Sequence, residues 1–570
     1  MLNSTTASAV LKHKIYQRPR YALGSSMVLC FAAFFLTLCL IVPLLILLQS
    51  AFLDENQQFI GLENFKIYFS NPALISSIFH SLSIALSATL ITVILASIYA
   101  FALINTQMKA KAFFKTVAFL PILAPAILPA LALIYLFGQQ GVFKDLLGSL
   151  EIYGPLGILI SYCFWLFPAM VMLMSTAFRN IDQRLIEAAY ALGKTPWQTQ
   201  FVVILPAIRY GLISACLVAF TYVITDFSIP KVIGGSFNMM ALDVYKQIIG
   251  QQNISMGAVI SILLLCPALL AFMIDRYQRH RQQHTQSSQT QPYYIAKNHK
   301  LETLFTVFCS IVATAILLII ITAFLASFIR YWPYDLSLTF SHYRFDYVDG
   351  GGWPSYFNSL KLAFWTSIIG TSMIFIIALF TTRFKAHPLL KNYVQMLALL
   401  PLAVPGLVLG IGYILFFNQP ENPLSILYGG MTLLVLSTII HYYSVPHLTF
   451  SHAIQQIPDQ LDHAAQSLNI SHWNMLRKVY FPLTLPALCD VSVYLFVNAM
   501  TTVSAAIFLY SPETSLASIA VLNMDDAGDT VAAVAMSILI LATSCGIKLL
   551  HWCLTRKMLQ SSQRWREPYH

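Results

Sequence analysis

The chain has 570 residues, 58% of them hydrophobic and 10% charged, with 33 Lys and Arg against 23 Asp and Glu and a formal net charge of +10. A soluble globular protein carries roughly 25% charged residues, so the composition excludes one and fits a polytopic membrane protein. The basic excess does not indicate nucleic acid, because it is confined to alternate intervals between apolar segments.

A spanning helix needs about 20 mainly apolar residues. Twelve such segments are expected, near residues 25–50, 80–104, 115–138, 154–178, 206–226, 255–274, 302–329, 360–380, 393–417, 424–446, 483–510 and 530–553. The first follows Lys12, Lys14, Arg18 and Arg20 and is too long for a signal-peptide core, so it is expected to stay as an anchor. With the N-terminus inside, the inner intervals hold 26 of the 33 Lys and Arg and the outer ones seven; 15 acids lie outside and seven inside. This positive-inside bias predicts that both termini are cytoplasmic and that anionic lipid is the neighbour of the basic intervals. The nine cysteines all lie in or beside apolar segments without a C-x-x-C pair, which reads as buried small apolar residues and neither a disulfide frame nor a zinc site.

The chain repeats itself. His80-Ser81-Leu82-x-x-Ala85 returns as Asn358-Ser359-Leu360-x-x-Ala363, and Pro121-x-x-x-Pro125 returns as Pro401-x-x-x-Pro405, where Pro121, Pro125 and Pro129 are expected to kink the third span. The expected organisation is a tail (1–24), a six-span half (25–275), a polar linker (276–300), a second six-span half (301–556) and a tail (557–570). The linker is rich in Gln and Ser and reads as a flexible cytoplasmic tether.

Between the fourth and fifth segments lies Glu187-Ala188-Ala189-Tyr190-Ala191-Leu192-Gly193, and its run closes on Val203-Ile204-Leu205-Pro206. Good helix formers predict a short helix over 181–192, with Ile181, Leu185, Ala188, Ala189 and Leu192 on one face. Gly193 suits a left-handed stop, Thr195-Pro196 a new start, and Pro206 the first turn of the next long helix. A worn copy lies 276 positions on, as His463-Ala464-Ala465-Gln466-Ser467-Leu468-Asn469 leading to Val479-Tyr480-Phe481-Pro482. Asn469 is the next-best residue for a left-handed cap and is expected to keep the bend.

These residues resemble the EAA loop of the membrane subunits of ABC importers. The second copy departs from that pattern at His463, Asn469 and Phe481. The resemblance implies an all-α membrane protein of about twelve helices arranged as two type I permease halves. It implies two ATPase subunits gripping two surface helices (179–205 and 455–481) through Glu187, Ala188, Ala189, Gly193, Pro206, His463, Ala464, Ala465, Asn469 and Pro482. It also implies an external solute-binding protein, residence in the bacterial inner membrane, and no catalysis or cofactor of the chain's own, ATP being used by the partner. Segments 225–235, 348–353, 510–513 and 521–529 look most like permeases of the branch serving iron(III), polyamines, thiamine and phosphonates. The outer turns among them are similar to 2-aminoethylphosphonate permeases, which makes that solute the expected cargo and iron(III) or a polyamine the alternative.

Other motifs carry less. Gly193-Lys194-Thr195 lacks the earlier glycine of a phosphate loop, since position 188 is alanine. The histidines 441, 447, 452, 463 and 472 lack compact ligand spacing, and Asp525-Asp526-Ala527-Gly528-Asp529 lacks the length and closing glutamate of an EF-hand loop. No metal site is expected. Ionisable or polar residues in spans mark a pathway by default, and Asp226, Asp490, Asn498, Thr501 and Thr502 are the candidates. A twelve-span secondary transporter is the rival class; it has no use for paired surface helices.

Overall fold

A computed structural model describes residues 21–54, 56–283, 293, 299–348, 350–384 and 386–562. Residues 1–20 of the expected N-terminal tail, most of the linker 276–300, Asp349 and residues 563–570 lie outside the described residues. Among the described residues nine helices are long and apolar enough to cross a membrane, and three sharply bent helix pairs raise the total to as many as twelve. Each expected segment has its counterpart. Beyond the helices there is one small antiparallel hairpin, Ile329–Tyr331 with Asp335–Leu338.

The bends follow from proline. In the third span Lys111–Leu123 and Leu128–Phe137 meet at 104°, and in the ninth Pro388–Leu402 and Gly406–Phe417 meet at 112°. Pro121 and Pro401 each sit in a tight turn, Leu120–Leu123 and Leu400–Leu402, and Pro125 and Pro405 stand in the break. A proline inside a helix removes one backbone hydrogen bond and its ring clashes with the carbonyl four residues back, so two at this spacing break the helix rather than bend it gently. The tenth span breaks as well, by 57° between Met431–His441 and Ser444–Gln455, which the sequence reading did not anticipate. Pro446 opposes the carbonyl of Tyr442 there. The fourth span, Pro155–Arg179, carries Pro168 at the equivalent place and stays continuous.

The two halves are interlocked. The first span (Gly24–Ser50) packs on the eighth and ninth, and the seventh (His299–Ala326) packs on the second and third. Thr37 Oγ1 lies 2.8 Å from the Tyr393 hydroxyl. Gly412 lets the two backbones touch, since a Cβ there would stand 2.9 Å from the Pro43 carbonyl oxygen. Reciprocally, the Phe101 and Phe305 rings are 5.7 Å apart, and Trp332 Nε1, just past the seventh span, donates to the Tyr135 carbonyl at 2.9 Å. Each half thus lends its first helix to the other. Within each half the second, fourth and fifth spans of the first half, and the eighth, tenth and eleventh of the second, form the inner bundle. Tyr99, Tyr162 and Phe450 fill this core, while Phe31, Phe34, Leu86, Leu90 and Ile311 remain exposed on the outside. In a bilayer that outward apolar surface costs nothing, because lipid tails are as apolar as leucine.

The repeated His/Asn-Ser-Leu motif now has a structural meaning. His80 Nδ1 lies 3.0 Å from the Asn238 carbonyl, and the Ser81 hydroxyl accepts from the Met240 amide at 2.8 Å. In the second half Asn358 Nδ2 donates to the Ser515 carbonyl at 3.2 Å, and the Ser359 hydroxyl accepts from the Ala517 amide at 2.8 Å. In both halves the motif pins the start of the short helix that follows the inner bundle, Met240–Tyr245 and Ala517–Asp526.

Candidate functional site: paired surface helices

The first surface helix is Gln183–Ala191, capped by the Asp182 side chain, which accepts from the Arg184 amide at 3.0 Å. Leu192 then donates to the Ala188 carbonyl and Lys194 to that of Ala189, with Gly193 left-handed at φ 77°. Such a corner favours glycine because a Cβ in this region strains the backbone. The second helix is Gln460–Ser467, and Leu468 and Ile470 donate to the carbonyls of Ala464 and Ala465 around Asn469 at φ 52°. The corner is the same in both halves, and Asn469 keeps it.

The predicted shared face divides in two. Ile181, Ile186 and Ala189 are buried, whereas Leu185, Ala188 and Leu192 point away from the bundle, Leu192 being 80% exposed. The reason is that a helix lying flat on a bundle end has an inner and an outer side, and a stripe drawn across both cannot face one way. The second copy repeats the split: Ile457 and Ala465 are buried, and Leu461 and Leu468 are exposed. Sequence reasoning missed one pair. Trp197 and Trp473, also 276 positions apart, stand 72% and 68% exposed beside these leucines. Sliding the chain against itself by that offset was enough to find them. Glu187 is exposed and accepts from Gln183 Nε2 at 3.0 Å, and His463 is exposed too.

Pro206 stands in the first turn of the long helix Leu205–Thr225, as expected, but the span begins before it. The chain re-enters at the Thr195 capping box, and Pro196–Thr225 runs as one span with a wide turn at Gln200–Ile204. Leu476–Tyr480 is the same wide turn before Pro482. An i→i+5 turn just before a proline relieves the ring's clash with the preceding helical carbonyls, so the helix passes through.

The second surface helix has a tether that the first lacks. Arg383, at the end of the eighth span, donates to the Ile454 carbonyl at 2.7 Å, to the Ile457 carbonyl, and to Asp459 and Asp462. Asp462 also accepts from the Tyr480 hydroxyl. Asn105 stands at the equivalent place in the first half, 278 positions back. There Asn105 Nδ2 instead donates to the carbonyl of linker residue Tyr293 at 3.0 Å. The Tyr293 side chain is close to Tyr190 of the first surface helix, and burial raises its phenol above the ordinary range.

Aromatic side chains gather on the fourth and fifth spans of the first half and on the tenth and eleventh of the second. Trp165 and Tyr222 of the first half are 5.8 Å apart, and Tyr222 lies at the position equivalent to Asn498 of the second. Tyr222 is 42% exposed. The Tyr442 and Tyr494 rings are 6.4 Å apart and nearly perpendicular, and Tyr442 reaches the Thr502 side chain. Asn498 Nδ2 donates to the Tyr494 carbonyl at 2.8 Å, and the Thr501 hydroxyl donates to Val497 at 3.1 Å. Of the predicted pathway residues, Asn498, Thr501 and Thr502 stand together at the end of the eleventh span.

Asp226 is buried one turn beyond Tyr222, its carboxylate accepting from the Tyr162 hydroxyl at 3.2 Å and the Ile229 amide at 3.1 Å. Asp490 lies elsewhere. It sits 3.2 Å from His551 Nε2, between the eleventh and twelfth spans. The equivalent positions of the first half are Ser214 and Asp275, also hydrogen-bonded. Asp490 thus belongs to a tie between spans, with the acid on opposite partners in the two halves.

At the end remote from the surface helices the halves are clasped. Lys231 of the first half pairs with Asp526 of the second at 2.8 Å, and Tyr135 lies 3.2 Å from the Thr530 hydroxyl. The acidic turn 525–529 is part of this clasp. Among the described residues no group of three or more His, Cys, Asp or Glu could hold a metal ion.

Comparison with known proteins agrees with the duplication. The family described as the binding-protein-dependent transport system inner membrane component matches residues 91–284 and again 370–560. The chain is 28% identical over 480 residues, 81% of its own length and 69% of the relative's, to the ferric transport system permease protein FbpB of Actinobacillus pleuropneumoniae. It is 29% identical over 433 residues, 73% of its length and 67% of the relative's, to a putative ferric transport system permease protein of Haemophilus influenzae. The spermidine/putrescine transport system permease protein PotB of Haemophilus influenzae is 26% identical over 251 residues, 41% of this chain and 87% of that one. Among solved structures, a bacterial alginate ABC transporter with its periplasmic protein aligns with 44% of this chain and 91% of that chain, at 17% identity and a TM-score of 0.35.

Proposed function

Since the chain belongs to the binding-protein-dependent transport system inner membrane component family, with that domain twice in one polypeptide, we propose that its halves form the pathway of an importer driven by separate ATPase subunits. It is a fused type I ABC permease and a multi-pass membrane protein. In our reading one ATPase subunit seats on each surface helix, two in all, and a solute-binding protein docks on the opposite face, over 51–79, 226–254, 330–357 and 511–528. Both termini then lie in the cytoplasm of a bacterium, and the halves run over 25–275 and 301–556. The observation that carries this reading is the pair of equivalent corners, where Leu185, Leu192 and Trp197, and Leu461, Leu468 and Trp473, expose large apolar side chains. Clustered apolar surface at a polar boundary marks a protein partner.

The motor works through these corners by moving them apart or together. Rigid helices running from them into the inner bundle, 196–225 and 473–501, carry the displacement to the junction of the halves. Closing one end and opening the other exposes a pathway there to each side in turn.

For the cargo, iron(III) comes first. Support for it is the similarity to ferric permeases, which extends over 81% of the chain. The second reading, 2-aminoethylphosphonate, rests on the short outer stretches 348–353, 510–513 and 521–529. Uptake of radiolabelled iron(III) and of the phosphonate, in cells with and without the chain, separates the two. For the partner, Glu187→Lys is expected to reduce co-purification of the ATPase subunit without affecting membrane insertion, and a change at His463 is expected to do less. Unaltered co-purification with Glu187→Lys counts against the docking site.

A further inference from the structure

The second half shows what the first half is missing. Arg383 spans the ground between the end of the eighth span and the carbonyl of Ile454. In the first half position 105 is Asn, and the counterpart of Ile454, 276 positions back, is Phe178. The acids that hold Arg383, Asp459 and Asp462, have Gln183 and Ile186 as their counterparts at the same offset. A short side chain in place of a long one leaves room, and a cleft of about 410 Å³ lies beside Asn105 and Phe178.

Its lining is mixed. Leu103, Ile104 and Phe178 give it apolar walls, while Lys111 and Arg179 bring two cations and no carboxylate. The Lys111 ammonium donates to the Thr106 carbonyl, and among the described residues neither cation has a carboxylate within ion-pair distance. Glu302 acts on Lys111 from the start of the seventh span but lies outside the lining. Asn105 is 1% exposed, and its Oδ1 has no hydrogen-bond partner, although its Nδ2 donates to the Tyr293 carbonyl. A buried acceptor left unpaired is unfavourable, so it calls for a donor from outside the protein.

The position of the cleft selects its ligand. The second span ends at Asn105, the third begins at Lys111 and the fourth ends at Arg179, so the cleft lies at the membrane surface on the side of the surface helices. Basic pockets between spans at that level suit acidic headgroups, and the volume falls within the range of small-ligand sites, about 300–1,000 Å³. A zwitterionic headgroup carries its own cation, so two protein cations favour one of net negative charge. Resting on the permease reading above for where that surface lies, we propose that the cleft binds the phosphate of an anionic lipid. Arg179 and Lys111 meet the phosphate, a headgroup hydroxyl donates to Asn105 Oδ1, and the apolar part of the lipid rests on Leu103, Ile104 and Phe178. Bound there, the lipid braces Arg179, four positions before the first surface helix begins at Gln183, as Arg383 braces the second.

The test uses the whole importer, chain with ATPase and binding protein, in phosphatidylcholine nanodiscs with or without phosphatidylglycerol. Hydrogen exchange of amides 183–193 is the readout, and 457–468 serve as the internal reference. Phosphatidylglycerol is expected to slow 183–193 about tenfold and to leave 457–468 unchanged. In K111Q/R179Q that slowing disappears, and R179K, which keeps the charge, retains most of it. Native mass spectrometry is expected to show the double variant holding one phosphatidylglycerol fewer than the wild type. Should the double variant fail to assemble, R179Q alone decides, because Arg179 is exposed at a helix end. No slowing in the wild type, or equal slowing in the double variant, overturns the site. Equal slowing by inorganic phosphate in phosphatidylcholine assigns the cleft to a free anion and overturns the lipid. The importer reading is tested separately by ATP-driven uptake: a chain without uptake that still shows the slowing keeps the site and loses that reading.

Discussion

Replacing Arg383 with Met is expected to loosen the second surface helix and leave the first unaltered. The guanidinium side chain is 8% exposed and holds two backbone carbonyls and two carboxylates. Asp459 is 79% exposed, so water replaces most of that contact, and it contributes at most about 1 kcal/mol. The carbonyls of Ile454 and Ile457 and the carboxylate of Asp462 are shielded; Ile454 keeps the Ile457 amide and Asp462 keeps the Tyr480 hydroxyl, so among the described contacts the Ile457 carbonyl loses its donor, at about 1–3 kcal/mol. With the partly buried Asp462 charge also left without its cation, the local cost is about 3–5 kcal/mol, the usual range for removing one member of a buried pair. That is at least about a hundredfold in the open population of the segment. Hydrogen exchange measures it directly. Amides of 457–468 should exchange about a hundredfold faster or more, while those of 183–193 keep their wild-type rates, because the first half has Asn105 in this place, bonded to Tyr293. Equal rates in wild type and variant, or equal acceleration at both helices, refute the argument.

Other expectations follow from the same geometry. Asn469→Val puts a β-branched side chain at φ 52° and should cost about 1–3 kcal/mol, lowering ATP-driven uptake, whereas Asn469→Gly should be tolerated. Gly412→Leu drives a side chain into Pro43 and should lower the thermal midpoint by the equivalent of about 1–3 kcal/mol. Gly546→Leu, with no atom within 4 Å, should leave the midpoint unchanged. Burial, and then the charge of Asp526, raise the Asp525 carboxyl to about 6 against Lys231. A carboxyl whose folded pKa is raised costs stability once the unfolded chain would ionise it, so this cost grows from about pH 4 to about pH 6 and is constant above. Relative to Asp525→Asn, the wild type should therefore gain thermal stability between pH 7 and pH 5. No such gain removes Asp525 from the clasp.

Much of this organisation was legible in the residues. The apolar segments, the Pro-x-x-x-Pro breaks and the repeated surface corner are local signals, and local chemistry decides them: prolines break helices and left-handed residues turn corners whatever surrounds them. The exchange of first spans between halves was not legible, because nothing in Gly24–Ser50 says which distant helix it will meet. The Arg383 tether was hidden for the same reason, its partners lying 71 to 79 positions away. Asp490 shows the limit of a rule. A charged residue in a span is a good pathway candidate on average, yet here it is tied to His551 on a neighbouring helix. The outward turn of Leu185 and Leu192 was concealed by a helical stripe that fitted a buried face equally well. Only the placement of Ile186 inward separates the two.

The most direct measurement places a photo-cross-linking amino acid at Leu192 in one preparation and at Leu468 in another, within the membrane-embedded importer. Both positions should capture the ATPase subunit, with yields that change when ATP is added. Capture of lipid alone at both positions, in an importer that still drives uptake from ATP, contradicts the account.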